Sequence, residues 1–194
     1  MKYDKSMMAT AHIWAKESYC KRRQVGAVIA KENRILSTGY NGTVNKHENI
    51  CEEYTIFKND EEFEHFLNKY NRKDPPILRC KNCIDGIVYT SSSHPYKEDY
   101  ECSKCNGIGY LKLLDRTNEF TVHAEQNAIA FCAKHGIPVI DTTLYVTTAP
   151  CKQCAKLIKQ SGIIRVVYEE DYHDTEGIDF LEIVGIEVNK LSKG

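Results

Sequence analysis

The 194-residue sequence has no apolar run long enough to cross a lipid bilayer, and its N-terminus lacks the apolar segment of a secretory signal. It also lacks an excess of either charge, since 26 Lys and Arg residues nearly balance 27 Asp and Glu residues. Broad affinity for nucleic acid needs a positive surface, so a nucleic-acid partner is not expected. We therefore predict a cytoplasmic protein with no membrane span.

Cysteine, by contrast, is abundant. The chain has nine cysteines, and six of them form three C-x-x-C pairs. In a reducing compartment, cysteines at this frequency indicate metal binding or chemistry more often than disulfides. The three pairs are therefore the first places to look for a site.

The two ends of the chain alternate helix and strand signals. Residues 3–19 carry apolar side chains at helical spacing. The runs at 25–30 and 34–40, separated by residues 31–33, predict an antiparallel hairpin, and Asn41–Gly42 closes it with turn chemistry. Beyond residue 120 the sequence predicts, in order, a helix at 123–135, a strand at 143–147, a helix at 150–160, a strand at 163–168, a helix at 175–184 and a strand at 186–188.

Such alternation predicts an α/β layered domain, and the opening hairpin makes its sheet mixed. We expect one domain over residues 1–194. Residues 43–119 differ in composition, because they are charged, contain a Pro pair and a Ser run, and hold four of the paired cysteines. We interpret them as an insertion, in which residues 52–70 predict one or two helices.

The strongest motif combines His123-Ala-Glu125 with Pro150-Cys-Lys-Gln-Cys154. One imidazole and two thiolates leave the fourth position of a tetrahedral zinc open for water, as in a catalytic zinc site. Both groups fall at predicted helix N-termini, where the helix dipole favours the thiolates of Cys151 and Cys154. This pair of motifs is the signature of the zinc-dependent nucleobase deaminases.

Glu125 is the predicted catalytic residue. It lies two residues after the zinc ligand His123, where its carboxylate can take a proton from the water, pass it to a ring nitrogen and assist the departure of ammonia. The alternative is a structural zinc or an unrelated C-x-x-C pair. Glu125 favours catalysis, since a structural site has no use for it.

The sequence resembles the deoxycytidylate deaminases of the cytidine deaminase superfamily. Five stretches carry the resemblance: Val25–Ala27, Gly39–Gly42, His123–Ile129, Pro150–Ile158 and Tyr172–Asp174. The resemblance implies a three-layer αβα fold around a mixed sheet of about five strands. It also implies hydrolysis of dCMP to dUMP and ammonia, which supplies dUMP for thymidylate synthesis in the cytoplasm of a cell or, for a phage protein, of its host.

Relatives of this kind are commonly homohexamers that dCTP activates and dTTP inhibits. A homo-oligomer, with a hexamer favoured, and both effectors are therefore expected here. The stretch at 43–48, however, departs from the pattern that relatives use to bind effectors.

The resemblance also implies the substrate contacts. Asn41 would hydrogen-bond the sugar hydroxyl, Ala124 would present its N–H to the pyrimidine O2, and Tyr172 would pack on the base. Arg22, within the basic cluster at 21–23, is the predicted phosphate contact, because arginine can bind phosphate through two hydrogen bonds. Alternatives stay open: a plain turn for Asn41, a core or surface aromatic for Tyr172, and a solvated charge run for the cluster.

A second cysteine set predicts a structural zinc. Cys80-x-x-Cys83 and Cys102-x-x-Cys105 have the spacing of a four-cysteine zinc knuckle at 80–105, with glycines available for its tight turns. Redox pairs or surface thiols are the alternative. The predicted cofactors are thus one catalytic and one structural zinc ion. Three cysteines remain, of which Cys132 fits a core position and two are open candidates for a further metal: Cys20 and Cys51.

Two other functions compete with dCMP deamination. A tRNA adenosine deaminase or another nucleobase deaminase would share the zinc motifs, but the balanced charge disfavours RNA binding. A non-catalytic, zinc-binding nucleic-acid module would have no need of Glu125.

Overall fold

The computed structural model describes residues 2–47, 49–69, 77–80, 82–83, 85–88 and 100–192. The chain divides into two compact units, here called unit 1 (Met1–Cys51 and Glu119–Gly194) and unit 2 (Glu52–Asn118). The part that is described contains no helix with the length and apolar character that a membrane span needs. The organisation into one domain with an insertion at 43–119 stays a prediction; residues 43–51 lie in unit 1.

The elements of both units follow one another along the chain. In order they are α1 (Asp4–Ala15), β1 (Gly26–Lys31), β2 (Arg34–Tyr40), β3 (Gly42–Thr43), β4 (Glu52–Ile56), α2 (Asp60–Lys69), β5 (Ile77–Arg79), β6 (Ile87–Val88), β7 (Tyr100–Glu101), β8 (Tyr110–Thr117), β9 (Thr121–Val122), α3 (Ala124–Lys134), β10 (Thr143–Thr148), α4 (Lys152–Ser161), β11 (Arg165–Glu170), α5 (Glu176–Ile183) and β12 (Glu187–Lys190).

Unit 1 is built on a five-stranded mixed sheet in the order β12-β11-β10-β1-β2. Strand β1 pairs antiparallel with both β2 and β10, whereas β10, β11 and β12 are mutually parallel. Parallel neighbours need crossover connections, which α4 and α5 provide. The predicted fold class, an α/β domain with a mixed sheet of about five strands, is confirmed.

Helices cover both faces of this sheet. Successive residues of a strand point to opposite faces, so Ala27 and Ile29 join the core under α3, α4 and α5, while Val28 and Ala30 join the core under α1. All four side chains are at most 4% exposed. The result is the three-layer αβα arrangement implied by the resemblance.

The predicted turn at Asn41–Gly42 is wrong. The hairpin connection predicted at residues 31–33 is correct, because β1 and β2 turn at Glu32 and Asn33, both in the left-handed region with φ of 50° and 62°. Two consecutive positive φ values match a type I′ hairpin turn, which the right-handed twist of paired strands favours. Asn41 lies between β2 and β3, and Gly42 pairs with Val122 in the small sheet of β3 and β9.

The prediction of one or two helices over 52–70 in unit 2 is correct only for its second half. Residues 52–56 form strand β4, which pairs antiparallel with β8, and β5 pairs with the other edge of β8. Within the described residues 52–69, the helix is α2. The start of α2 is a reciprocal capping arrangement: Asn59 Oδ1 accepts from the Glu62 N–H at 2.9 Å, and Glu62 Oε2 accepts from the Lys58 N–H at 2.8 Å. The fully buried ring of Phe57 packs edge-on against Phe63, with centroids 5.0 Å apart.

Cys20 and Cys51 form a disulfide within unit 1. Both are buried, at 5% and 3% exposed. Their sulfur atoms are used in this bond and are not metal ligands, so the open interpretation of these two cysteines as candidates for a further metal is wrong. The general expectation that cysteines of this chain serve metal sites also fails for this pair.

Candidate metal centre and active site

Three predicted zinc ligands converge at the N-termini of α3 and α4. His123 is the N-cap of α3, Cys151 is the N-cap of α4, and Cys154 lies in the first turn of α4. Their ligand atoms all lie within 4.8 Å of one another. The Sγ atoms of Cys151 and Cys154 are 3.5 Å and 3.4 Å from Nδ1 of His123.

These distances suit zinc. Tetrahedral bonds of about 2.0 Å to nitrogen and about 2.3 Å to sulfur set an N···S separation of roughly 3.6 Å. Both measured separations are within about 0.2 Å of that value. The donor set, one imidazole and two thiols, is a common one for catalytic zinc and leaves a fourth position for a non-protein ligand.

The position of His123 is fixed by the first turn of α3. The His123 N–H donates to Oε1 of Gln126 at 2.8 Å, and the Asn127 N–H donates to the His123 carbonyl at 3.0 Å. The helix sits directly on β2 at Gly39, because a Cβ there would overlap the Ala124 carbonyl oxygen and lie 2.7 Å from the Ala128 nitrogen. Glycine is thus required at position 39 for the close approach.

The position of the two cysteines is fixed by the neighbouring strand and helix. The Ala149 N–H, at the end of β10, donates to the Glu170 carbonyl of β11 at 2.7 Å, just before the Pro150–Cys151 segment. Gly177 in the first turn of α5 packs against that segment. A Cβ at Gly177 would overlap the Pro150 carbonyl oxygen and lie 2.9 Å from the Cys151 carbonyl carbon.

Glu125 is 4% exposed and lies in the first turn of α3, two residues beyond His123. Burial raises the pKa of its carboxyl group, against the opposing effects of its own backbone N–H and of His123. A raised pKa makes the carboxylate a stronger base for the proton of water, as a general acid and base requires.

The neighbours of Cys151 favour the thiolate form of its side chain. Hydrogen bonding from Cys154, followed by that from His123, lowers its pKa to about 3. In turn, the hydrogen bond to Cys151 raises the pKa of the His123 ring. Thiolate formation before metal arrives favours zinc binding, because the thiolate is the form that coordinates metal.

The structure gives Asn41 two definite partners. Its Oδ1 accepts from the Val25 N–H at 2.7 Å, and its Nδ2 donates to the Arg23 carbonyl at 2.8 Å. An amide has one further lone pair and one further N–H, so Asn41 can still reach a ligand. It also holds the main chain that follows Arg22, an exposed residue.

The other two predicted substrate residues lie beside the metal ligands. Ala124 is the first residue of α3 and is fully buried, with its N–H in the part of the helix that precedes the internal hydrogen-bond ladder. Tyr172 is half-buried against the core. Burial, and then the charges of Cys151, Asp174, Cys154 and Glu125, raise the pKa of Tyr172.

Sequence reasoning missed four residues that support the centre: Gly39, Gln126, Asn127 and Gly177. Gln126 has a signal in the sequence, because a Gln or Glu three residues after an N-cap marks a capping box. Gly39, Gly177 and Asn127 have no such signal in the sequence, since the residues that they contact are distant in the chain. Asn127 Nδ2 donates to the carbonyl of Tyr40 at 2.7 Å.

The four remaining paired cysteines meet in unit 2. Their sulfur atoms lie within 4.8 Å of one another, with Cys80 3.8 Å from Cys102 and Cys83 3.5 Å from Cys105. Two thiolates on a tetrahedral zinc are separated by roughly 3.8 Å, so this set also fits zinc, without an open position.

The two halves of this cluster are bound to each other reciprocally. The Cys80 N–H donates to the Gly109 carbonyl at 2.8 Å, and the Cys102 N–H donates to the Gly86 carbonyl at 2.7 Å. Both glycines have positive φ. A Cβ at Gly86 would overlap the carbonyl oxygen of Gly107. The turns after the cysteine pairs therefore need glycine for conformation and for space.

Comparisons with known proteins give a consistent result. A family model for the cytidine and deoxycytidylate deaminase zinc-binding region matches residues 1–170. The deoxycytidylate deaminases of Enterobacteria phages T2 and T4 are each 34% identical over 190 residues, which cover 97% of this chain and 92% and 89% of those proteins. The crystal structure of the dCMP deaminase from cyanophage S-TIM5 in complex with dCMP and dUMP aligns with a TM-score of 0.63 and 27% identity, covering 98% of this chain and 97% of that one.

Proposed function

The chain belongs to the cytidine and deoxycytidylate deaminase family, and we propose that it is a dCMP deaminase, which hydrolyses dCMP to dUMP and ammonia. The observation that carries the proposal is the buried carboxyl group of Glu125 beside a ligand set with one open position. The relatives from phages T2 and T4, which match along almost their whole length, support dCMP as the substrate.

His123, Cys151 and Cys154 are the proposed ligands of the catalytic zinc. Zinc at this position supplies Lewis-acid activation of water for attack on the pyrimidine. The protein supplies the proton transfers. Glu125 takes a proton from the attacking water, passes it to the ring nitrogen next to C4, and returns the second water proton to the amino group. Water adds to C4, the C4–N bond breaks and ammonia leaves, so one water is consumed for each dUMP formed.

Four residues are proposed to bind the nucleotide. The N–H of Ala124 donates to the pyrimidine O2, and Tyr172 packs on the base. Asn41 hydrogen-bonds the sugar hydroxyl, and Arg22 binds the phosphate. The convergence of Ala124 and Tyr172 on the metal ligands, and the bonds that join Asn41 to residues 23 and 25, support this arrangement.

The first test is ammonia release from dCMP, deoxycytidine, dCTP and a tRNA anticodon hairpin. We expect turnover of dCMP, and its loss in Glu125→Gln, which keeps the shape of the side chain but cannot take up the proton. Equal turnover by wild type and Glu125→Gln would contradict the catalytic assignment. Activity on the hairpin alone would favour a tRNA deaminase instead.

Phosphate recognition has its own test. Arg22→Ala is expected to raise KM for dCMP by about tenfold or more, since a charge-assisted contact to phosphate contributes on that scale, and to leave the kinetics with deoxycytidine unchanged. Arg34→Ala is the matched control, because Arg34 is an exposed arginine at the start of β2. Equal KM values for Arg22→Ala and Arg34→Ala would contradict the role of Arg22.

Cys80, Cys83, Cys102 and Cys105 are proposed to hold a second, structural zinc ion. The reciprocal bonds between Cys80 and Gly109 and between Cys102 and Gly86 support a knuckle that a metal stabilises. We expect two zinc ions per chain in the wild type and one in either Cys80→Ser or Cys151→Ser. Two zinc ions in Cys80→Ser would contradict the second site.

Assembly and regulation follow the family resemblance. We propose a cytoplasmic homo-oligomer, with a hexamer favoured, that dCTP activates and dTTP inhibits. Light scattering measures the number of chains in the oligomer. Titration of dCTP and dTTP into the dCMP assay tests activation and inhibition by these nucleotides. A monomer in solution would contradict the first proposal, and flat responses to both nucleotides would contradict the second.

A further inference from the structure

The side chain of Asn127 joins the first turn of α3 to the end of β2. Its Nδ2 donates to the Tyr40 carbonyl at 2.7 Å, while its backbone N–H donates to the His123 carbonyl at 3.0 Å. One residue thus contacts the segment that carries the proposed metal ligand His123 and the strand end that leads to Asn41.

The segment around Asn41 is a meeting point of three stretches of unit 1. The Asn41 side chain binds the main chain at Arg23 and Val25, and its carbonyl oxygen accepts from Ser18 Oγ at 2.7 Å. The Asn41 N–H also donates to the Val25 carbonyl at 3.0 Å. Through Tyr40, Asn127 therefore joins helix α3 to a group of segments that these hydrogen bonds hold together.

Close packing and directed hydrogen bonds both act between α3 and β2. At Gly39 the helix lies so close to the strand that a Cβ there would be 2.4 Å from the Ala124 carbonyl oxygen and 3.1 Å from the Ala128 Cβ. Such a contact sets how closely the helix approaches the strand but opposes sliding only weakly. Directed hydrogen bonds oppose sliding along the strand, and they include Asn127 to Tyr40 near the site, and Ser37 Oγ to the Ala128 carbonyl at 2.8 Å, farther along β2.

We infer that Asn127 is a positioning residue for deamination, which sets, through the Tyr40 carbonyl, the distance between Asn41 and the His123–Glu125 turn. The inference rests on the proposed function, in which the sugar binds at one end of this distance and the base reacts at the other. Small errors in such an alignment lower the rate steeply, because the reacting atoms must meet within a narrow range of geometry.

The test uses Asn127→Asp and Asn127→Leu, which keep the approximate volume of the side chain but remove the N–H donor at neutral pH. Ser37→Ala is the matched control, because it removes the other bond between the same helix and strand without touching Tyr40. We expect both Asn127 variants to lose about tenfold or more in kcat for dCMP. KM should change less, since Asn41 and Arg22 still contact the nucleotide. Ser37→Ala should keep its kcat.

Zinc content, melting temperature and dUMP affinity are measured on the same samples. If Asn127 only stabilises the fold, Asn127→Asp and Ser37→Ala will lose melting temperature and kcat in parallel, and the inference is overturned. A double variant with Asn41→Ala adds a second criterion. If Asn127 acts through Asn41, the double variant loses no more kcat than the worse single variant, whereas additive losses overturn the inference.

Wild-type protein that releases no ammonia from dCMP overturns the proposed function, and this inference with it. Wild-type activity that Asn127→Asp and Asn127→Leu both keep within about threefold overturns the inference alone.

Discussion

Asp4 and Arg165 form a doubly hydrogen-bonded ion pair in the interior of unit 1. Arg165 Nη1 lies 3.0 Å from Asp4 Oδ1, and Nη2 lies 2.8 Å from Oδ2. Tyr145 also donates to Oδ1 of Asp4, at 2.9 Å, and Arg165 Nε donates to Glu187 and Asn189. Each charge therefore has several partners, which is the condition under which a buried ion pair is tolerated.

Replacing one member of this pair should destabilise unit 1 strongly. Asp4→Asn removes the buried carboxylate that faces the Arg165 guanidinium and leaves it only the exposed carboxylate of Glu187, and we expect a loss of about 3–5 kcal/mol in the free energy of unfolding at pH 7. Urea denaturation measures it, with the exposed Asp141→Asn as control. A loss no greater than that of the control would contradict the assigned importance of the pair.

The Asp4–Arg165 pair also predicts how the free energy of unfolding depends on pH. Hydrogen bonding to Arg165 holds the pKa of Asp4 well below its ordinary value. A carboxyl group with a depressed pKa in the folded state contributes its full stability above the pKa of the unfolded chain, about 4, and loses it as the pH falls towards the folded-state value. The difference between wild type and Asp4→Asn should be constant from pH 5 to 8 and smaller at pH 3. A difference that grows on acidification would contradict the sign.

Gly177 offers a test of the metal centre that changes no ligand. A Cβ at this position overlaps the Pro150 carbonyl oxygen, so Gly177→Ala must displace the segment that carries Cys151. We expect a loss of about 1–3 kcal/mol and weaker retention of zinc during dialysis against a chelator. Gly136→Asn is the control, because nothing lies within 4 Å of a Cβ there and Asn tolerates the φ of 66°. Equal zinc retention in both variants would contradict the prediction.

The Cys20–Cys51 disulfide should stabilise unit 1 through the unfolded chain. The two cysteines are 31 residues apart, and a loop of that length contributes roughly 3–4 kcal/mol in the chain-entropy model. The double variant Cys20→Ala/Cys51→Ala should unfold at correspondingly lower urea, and a reductant should lower the midpoint of the wild type without affecting the variant. Identical midpoints for wild type and variant under oxidising conditions would count against the bond.

A substitution at Gly86 tests whether the four-cysteine cluster holds a zinc ion. Gly86→Ala has to resolve an overlap with the Gly107 carbonyl and a φ of 88°, so the turn that binds Cys102 opens. We expect one zinc ion per chain to be lost and unit 2 to be cleaved faster by protease, while the other zinc ion stays. Lys104→Ala, at an exposed position between the second pair of cysteines, should retain both ions. Retention of both ions by Gly86→Ala would contradict this account.

The parts of the molecule that the sequence predicted well have local signals. Helices α3 and α4 follow from apolar periodicity and a glycine after each, and the zinc motifs fall at their first residues. The resemblance to the deoxycytidylate deaminases, drawn from five stretches, is confirmed by the family model and by the phage relatives. The ligand atoms of His123, Cys151 and Cys154 lie together as their motifs imply, and the roles of all site residues stay predictions.

The parts that the sequence did not predict depend on distant partners. The spacing of Tyr54 and Phe57 with later aromatics predicts a helix where β4 lies, whereas pairing with β8, more than 50 residues away, decides the conformation. The dipeptide Asn41–Gly42 has the composition of a turn. In the structure, however, the side-chain amide of Asn41 is hydrogen-bonded to the main chain of Arg23 and Val25. The Cys20–Cys51 bond likewise has no signal in the spacing of the cysteines.

One hydrogen bond within unit 1 joins the two places where the chain leaves unit 1 and returns to it. Thr121 Oγ1 donates to the Cys51 carbonyl at 3.0 Å, so the last residue before unit 2 is held against a residue just after it. A segment whose two ends are neighbours can be gained, lost or exchanged by recombination while the remaining framework keeps its connections. We therefore expect that a short linker can replace residues 52–118, and the folding of the shortened chain checks whether unit 1 is stable without them.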